Sequence, residues 1–322
     1  MLRIVIIIMF SFLLTACSAE RHFDASAQPL APTLRHWVPE EPPSDVVLAL
    51  HSFGDHGAAF QLLGPQFANA GIYLESYDQA GFGSRQFEGR WAGETQLVNE
   101  AAERIEHLAS VYHQPVYVMG ESLGAAVAIL AACKNPDAVA GVILSAPAVR
   151  EGIRFRYGWN LVIASAATLA PGYEVQVQRD PEAPLLAPSQ AQRLATDERV
   201  MRQVRLDSYW GLIQLADSAS DQAAVLSQTK IPVLILYGDR DNTVPEAGIV
   251  ALRRHLQPQV TYLSVPDGPH LLLQGKDWRT TSQQILDWIQ TQRPANHANI
   301  AAPATPRSTT IGSPSQLHTR SD

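Results

Sequence analysis

Residues Gly120-Glu121-Ser122-Leu123-Gly124 close an apolar run, Val116 to Met119, and lead into an alanine-rich stretch, Ala125 to Cys133. The run reads as a buried strand and the stretch behind it as a helix. A serine on a sharp strand-to-helix turn between glycines is a nucleophile elbow, and the chemistry it can perform is acyl transfer. Such a serine needs a base, a carboxylate to orient the base, and donors for the developing oxyanion.

In a strand–turn–helix setting of this kind the partners follow in the order serine, acid, histidine, on loops after later strands. Pro232 to Tyr237 reads as a strand and leads into Gly238-Asp239-Arg240-Asp241-Asn242-Thr243-Val244-Pro245. Two aspartates compete there. Asp241 is preferred because Gly-x-x-Asp-x-x-Val-Pro is the usual form of an acid loop, and Asp239 is the alternative. Val260 to Val265 reads as the last strand, and Pro266-Asp267-Gly268-Pro269-His270 follows it. The expected roles are Ser122 as nucleophile, His270 as general base and Asp241 as its orienting carboxylate.

The backbone N–H of Leu123, at a helix N-terminus, is the expected first oxyanion donor. The second is expected from the loop after Val46 to Leu50, which reads His51-Ser52-Phe53-Gly54-Asp55-His56. This loop resembles the His-Gly-x-Gly oxyanion loop of lipases and esterases, and the resemblance implies that Phe53 supplies the N–H. Ser52 stands where glycine is usual, so a positive φ there would strain it. The His51 side chain reads as structural, packed beneath the site. Asp78, in Tyr77-Asp78-Gln79-Ala80-Gly81-Phe82-Gly83-Ser84, precedes Ser122 and has the wrong order for the acid, so it reads as a loop-shaping residue. His107, His113 and His255 fall on or at the ends of helical segments and read as solvated.

These loops need a frame to hold them. Short apolar runs at Val46 to Leu50, Ile72 to Tyr77, Val116 to Met119, Gly141 to Leu144, Pro232 to Tyr237 and Val260 to Val265 alternate with helical stretches. Buried β-branched runs separated by helices imply an α/β fold with a mostly parallel sheet covered on both faces. The alternation stops at Pro147, and residues from about 150 to 228 show helical segments (161–169, 188–196, 199–219) and no convincing strand. This stretch reads as a helical cap inserted between two parts of the core, 44–149 and 229–293. Residues 294–322 are rich in Ala, Pro, Ser and Thr without apolar periodicity and read as a disordered tail.

Bulk properties narrow the function further. The chain has 322 residues, 46% of them hydrophobic, enough for one large core with an insertion. The net charge of −7 without a basic stripe excludes nucleic acid as a partner. Cys17 and Cys133 are the only cysteines. No zinc-type Cys/His spacing occurs, so no metal is implied. Cys133 reads as a small buried apolar residue.

The N-terminus has a different character. Arg3 precedes an apolar run, Ile4 to Leu14, which is too short to span a bilayer but matches a signal-peptide core. Leu14-Thr15-Ala16-Cys17 resembles a bacterial lipobox. That resemblance implies removal of residues 1–16 and lipidation of Cys17. The polar, proline-bearing stretch that follows reads as a tether, 17–43, with an edge element around Leu34 to Val38. The alternative is an ordinary cleaved signal peptide with an incidental cysteine. Ser18 after Cys17 favours the outer membrane where the cell has one.

Together these motifs resemble the α/β-hydrolase superfamily over residues 44 to 292. Within it the chain is similar to the monoacylglycerol lipase, lysophospholipase and serine aminopeptidase-like group. The features are His-Ser-Phe-Gly-Asp-His, Asp-x-x-Gly-Phe-Gly, Gly-Glu-Ser-Leu-Gly, Ser145-Ala146-Pro147 at the cap entrance and Arg179-Asp180-Pro181 inside the cap. Serine rather than aspartate at the elbow argues against epoxide hydrolases and dehalogenases. The resemblance implies a serine hydrolase without metal or organic cofactor, acting on esters of single-chain acyl lipids such as monoacylglycerols or lysophospholipids. Two alternatives stand beside it: a peptidase or non-lipid esterase, and a non-catalytic, membrane-tethered binding lipoprotein.

Overall fold

The computed structural model describes residues 31–153 and 156–293. The expected signal segment 1–16, Cys17, most of the expected tether and the whole of the expected tail lie outside them.

Seven strands form one sheet. They are β1 (Leu34–Trp37), β2 (Asp45–Leu50), β3 (Ile72–Tyr77), β4 (Val116–Glu121), β5 (Val139–Ser145), β8 (Val233–Gly238) and β9 (Val260–Val265), in the order β1-β3-β2-β4-β5-β8-β9. All neighbours run parallel except β1, which pairs antiparallel with β3. β1 falls where an edge element was expected, around Leu34 to Val38 at the end of the tether.

The strand sequences explain why both faces are covered. Val46, Leu48 and Leu50 of β2 enter one apolar cluster, while Val47 and Ala49 enter another. Val118 and Met119 of β4 divide in the same way, as do Ile235 and Leu236 of β8. Alternate residues of a strand face opposite sides, so a strand that is apolar at every position must be sandwiched. One cluster is closed by α2 (Glu94–Tyr112), α3 (Leu123–Lys134) and α7 (Glu246–Leu256), the other by α1 (Leu63–Asn69) and α8 (Trp278–Gln292). Helix α3 is buried on all sides for ten residues, which is why its sequence shows no polar stripe.

The insertion differs from expectation in two ways. It holds α4 (Arg156–Leu169), α5 (Pro188–Thr196) and the long α6 (Leu206–Gln228), but also two short strands, β6 (Glu174–Gln176) and β7 (Gln203–Arg205). These pair antiparallel, Val175 opposite Val204. Three residues are too few to show an alternating pattern. The helix expected over 199–219 therefore starts later, after β7, and runs further. Its second half does not belong to a cap. Leu215, Ala216, Ala219, Ala223 and Leu226 join the core cluster and pack against α3. Helix α4, by contrast, leaves Tyr157, Trp159, Leu161, Val162 and Leu169 exposed.

Candidate active site

The strand β4 ends at Glu121, and Ser122 follows with φ 54° and ψ −112°. Positive φ is unfavourable for a residue with a side chain, so neighbouring structure must hold it. The Ser122 N–H donates to the Ser145 carbonyl at 2.9 Å, and its own carbonyl accepts from Ala148 N–H at 3.0 Å. The flanking glycines permit the turn. A Cβ on Gly120 would meet the Gly124 carbonyl oxygen at 2.2 Å, and one on Gly124 would meet the Leu50 oxygen at 2.1 Å.

His270 Nε2 lies 2.9 Å from Ser122 Oγ, and its Nδ1 lies 2.9 Å from Asp241 Oδ2. The other oxygen of Asp241 accepts from the N–H groups of Thr243 and Val244, at 2.8 and 3.0 Å. The carboxylate is thereby aimed, and its side chain is wholly buried. The competing Asp239 is exposed and its side chain makes no such contact. What brings the two loops together is a close approach that sequence reading missed. A Cβ on Gly238 would meet the Gly268 carbonyl at 2.1 Å, and Arg240 N–H donates to that same oxygen. Glycine at both positions, one closing β8 and the other three residues past β9, was the available signal.

Among the described residues the N–H groups of Leu123 and Phe53 donate to no protein acceptor. Leu123 is the first residue of α3, where backbone donors lack intrahelical partners. The positive φ in the loop falls on Gly54, at 74°, and not on Ser52, so Ser52 bears no strain. The Phe53 ring packs edge-on to Phe82, with centroids 5.3 Å apart, and stacks with Trp91 at 6.5 Å. Trp91 in turn fits against α6 only because residue 211 is glycine, where a Cβ would fall 2.5 Å from the indole. This aromatic group joins the loop to the insertion.

His51 is structural, as its setting implies. Its Nδ1 donates to the Ser52 carbonyl at 2.8 Å, and its Nε2 accepts from Gln79 N–H at 3.0 Å. Burial lowers its pKa to about 4, so the ring is neutral in that tautomer. Asp78 is also structural. Burial alone would raise its pKa, but N–H donors from Ser84 and Gly57 and the Arg35 guanidinium outweigh burial and bring it to about 2. His107, His113 and His255 are exposed, and Cys133 is half-buried.

A charged assembly that sequence reading did not find joins α5 to the loop after β2. Arg193 of α5 makes a bidentate pair with Asp55, at 2.6 and 2.9 Å, with both side chains buried. Burial opposes the ionised form of Asp55, but the two Arg193 bonds outweigh it and hold its pKa below the ordinary carboxylate value. Arg179, from the Arg-Asp-Pro segment, comes near the same loop, with Nη2 4.0 Å from where a Cβ on Gly54 would lie. Met201 N–H donates to the Gly54 carbonyl at 2.8 Å. These partners are far apart in sequence, and only the fold brings them together.

Comparison with known proteins gives the family of the chain. The family described as serine aminopeptidase, S33 (Hydrolase_4) matches residues 41–277. A monoacylglycerol lipase of Mycolicibacterium smegmatis is 25% identical over 79% of this chain and 90% of its own length. The human monoglyceride lipase is 22% identical over 84% of this chain and 89% of its own. The crystal structure of a monoacylglycerol lipase from Paleococcus ferrophilus superposes with a TM-score of 0.67 at 20% identity, covering 82% of this chain and all of that one. The fold is that of the α/β-hydrolases, and the chain belongs to the Hydrolase_4 family of serine hydrolases.

Proposed function

We propose that this protein cleaves the carboxylic ester of a single-chain acyl lipid, a monoacylglycerol or lysophospholipid, through an acyl-enzyme on Ser122. The observation that carries the reading is the unbroken hydrogen-bonded line from Ser122 Oγ through His270 to Asp241. In the proposed reaction Ser122 Oγ attacks the acyl carbonyl while His270 Nε2 takes its proton. The carbonyl oxygen becomes an oxyanion facing the Leu123 and Phe53 N–H groups. Collapse expels the glycerol or glycerophosphate alcohol, protonated by His270. Water then repeats the sequence and releases the fatty acid. Asp241 holds the imidazole tautomer and stabilises the imidazolium.

Two observations favour a lipid ester. The relatives named above are lipases of monoacylglycerols. The insertion also leaves the large apolar side chains Tyr157, Trp159, Leu161, Val162 and Leu169 of α4 exposed, of the kind that meet lipid or another apolar surface. A lipidated Cys17 would keep those side chains near a membrane, because each buried methylene adds about 0.8 kcal/mol to anchoring. The test is hydrolysis of esters of increasing acyl length, comparing monoacylglycerols with lysophospholipids. Hydrolysis only of acetyl esters would remove the lipid reading. Recovery of a Cys17→Ser protein in the same membrane fraction as the parent would remove the anchor.

The family description supports a second reading, cleavage of an N-terminal amino-acyl amide. Preference for amino-acyl amides over long-chain esters would select it.

A further inference from the structure

Glu121 is the residue before the proposed nucleophile, and it is fully buried. Among the described residues no cation contacts it. Its Oε1 accepts from the Leu273 N–H at 2.9 Å and its Oε2 from Gln274 Nε2 at 2.9 Å. Leu273 and Gln274 belong to a 3₁₀ turn, Leu272–Gln274, that begins two residues after His270. One carboxylate on the nucleophile strand thus grips the turn leaving the base. Gln274 passes the grip on. Its Nε2 also reaches Asp55 Oδ2 at 3.1 Å, and its Oε1 accepts from Arg193 Nη2 at 2.9 Å.

We propose that Glu121 is a positioning residue for the base, its ionised carboxylate clamping the turn after His270 to the strand that bears Ser122. The inference rests on the reading of Ser122 and His270 as nucleophile and base.

The hydrogen-bond polarity makes the clamp depend on ionisation. Both partners of Glu121 are donors, so both carboxylate oxygens must accept. A protonated carboxyl would turn one oxygen into a donor facing a donor. Gln274 cannot rotate its amide to compensate, because its oxygen would then face Asp55 and its NH₂ would face Arg193. Burial pushes the Glu121 carboxyl up to about 7, against the lowering pull of the Gln274 and Leu273 bonds. The charged and titratable groups around it are His270 on the base loop, Asp55 and His56 on the loop after β2, and Arg193 on α5. The clamp therefore releases within the range where the enzyme would be assayed.

The test uses the full chain and counts turnover per Ser122 titrated with a fluorophosphonate, so that misfolded protein drops out. Glu121→Gln mimics the protonated state. It is expected to lower kcat roughly ten- to hundredfold, the cost of a displaced catalytic group, with KM little changed. Gln274→Leu removes a donor that favours the ionised form but leaves the Asp55–Arg193 pair. It is expected to move the acid limb of the kcat/KM profile to higher pH, and in the Glu121→Gln background it should move nothing. Parental kcat per labelled site in Glu121→Gln, or an acid limb unmoved by Gln274→Leu, would overturn the clamp while leaving the nucleophile assignment intact. Failure of the parent protein to label at Ser122 would instead overturn the reading beneath it, and the clamp with it.

Discussion

At the scale of single residues the site is a set of atoms with little tolerance. Replacing Ser122 by Ala should lower turnover about 10⁶-fold, since nucleophile and base act as a unit. Asp241→Asn should cost about 10⁴-fold by leaving the imidazole in the wrong tautomer. Asp239→Asn, at an exposed position, should leave the rate of ester hydrolysis within about twofold of the parent. A large loss in Asp239→Asn and a small one in Asp241→Asn would reverse the assignment. Gly124→Ala is a different kind of change. Its Cβ would lie 2.1 Å from the Leu50 carbonyl oxygen, which is backbone and cannot swing aside. The expected outcome is loss of soluble, fluorophosphonate-reactive protein, read by expression and labelling.

At the scale of elements, the candidate active site is where separate segments are pinned together. Helix α5 is held to the loop after β2 by Arg193 and Asp55, and to the segment after His270 by backbone bonds. Ala187 N–H donates to the Gln274 carbonyl, and Lys276 N–H to the Leu185 carbonyl, both at 2.9 Å. Removing one partner of a buried pair strands the other charge. Arg193→Leu should therefore destabilise the protein by about 3–5 kcal/mol in denaturant unfolding. The double change Asp55→Leu with Arg193→Leu should recover most of that loss, because no charge is left uncompensated. A double variant as unstable as the single one would show that packing, rather than the stranded charge, dominates.

At the scale of the whole molecule, two buried groups set opposite pH trends. His51 titrates near 4 when folded against 6.5 in a free chain. Its contribution to stability is present above pH 6.5 and is lost as pH falls through 4. Glu121 titrates near 7 when folded against 4.5 in a free chain. Its contribution is complete below pH 4.5 and is lost as pH rises through 7. Each shift corresponds to about 3 kcal/mol across its window. Unfolding free energies measured from pH 4 to 8 should separate them. His51→Gln should flatten the acid-side fall, and Glu121→Gln the fall on the way to neutrality. Unchanged slopes in both variants would refute these assignments.

Much of this was legible in the chain itself, because the signals are local. A strand apolar at every position must be covered on both faces, so the layered α/β fold could be read from runs such as Val46 to Leu50. Glycines flanking Ser122, and loops placed after the later strands, narrowed the chemistry and limited which aspartate and histidine could meet. What tertiary structure decided is what depends on distant partners. Three-residue strands in the insertion, and an α6 that leaves the insertion to join the core, have no local periodicity to announce them. The Asp55–Arg193 pair and the grip of Glu121 on Leu273 and Gln274 join positions more than a hundred residues apart. A charged residue reads as solvated in a sequence, and only the fold, by removing water from it, makes its partner obligatory.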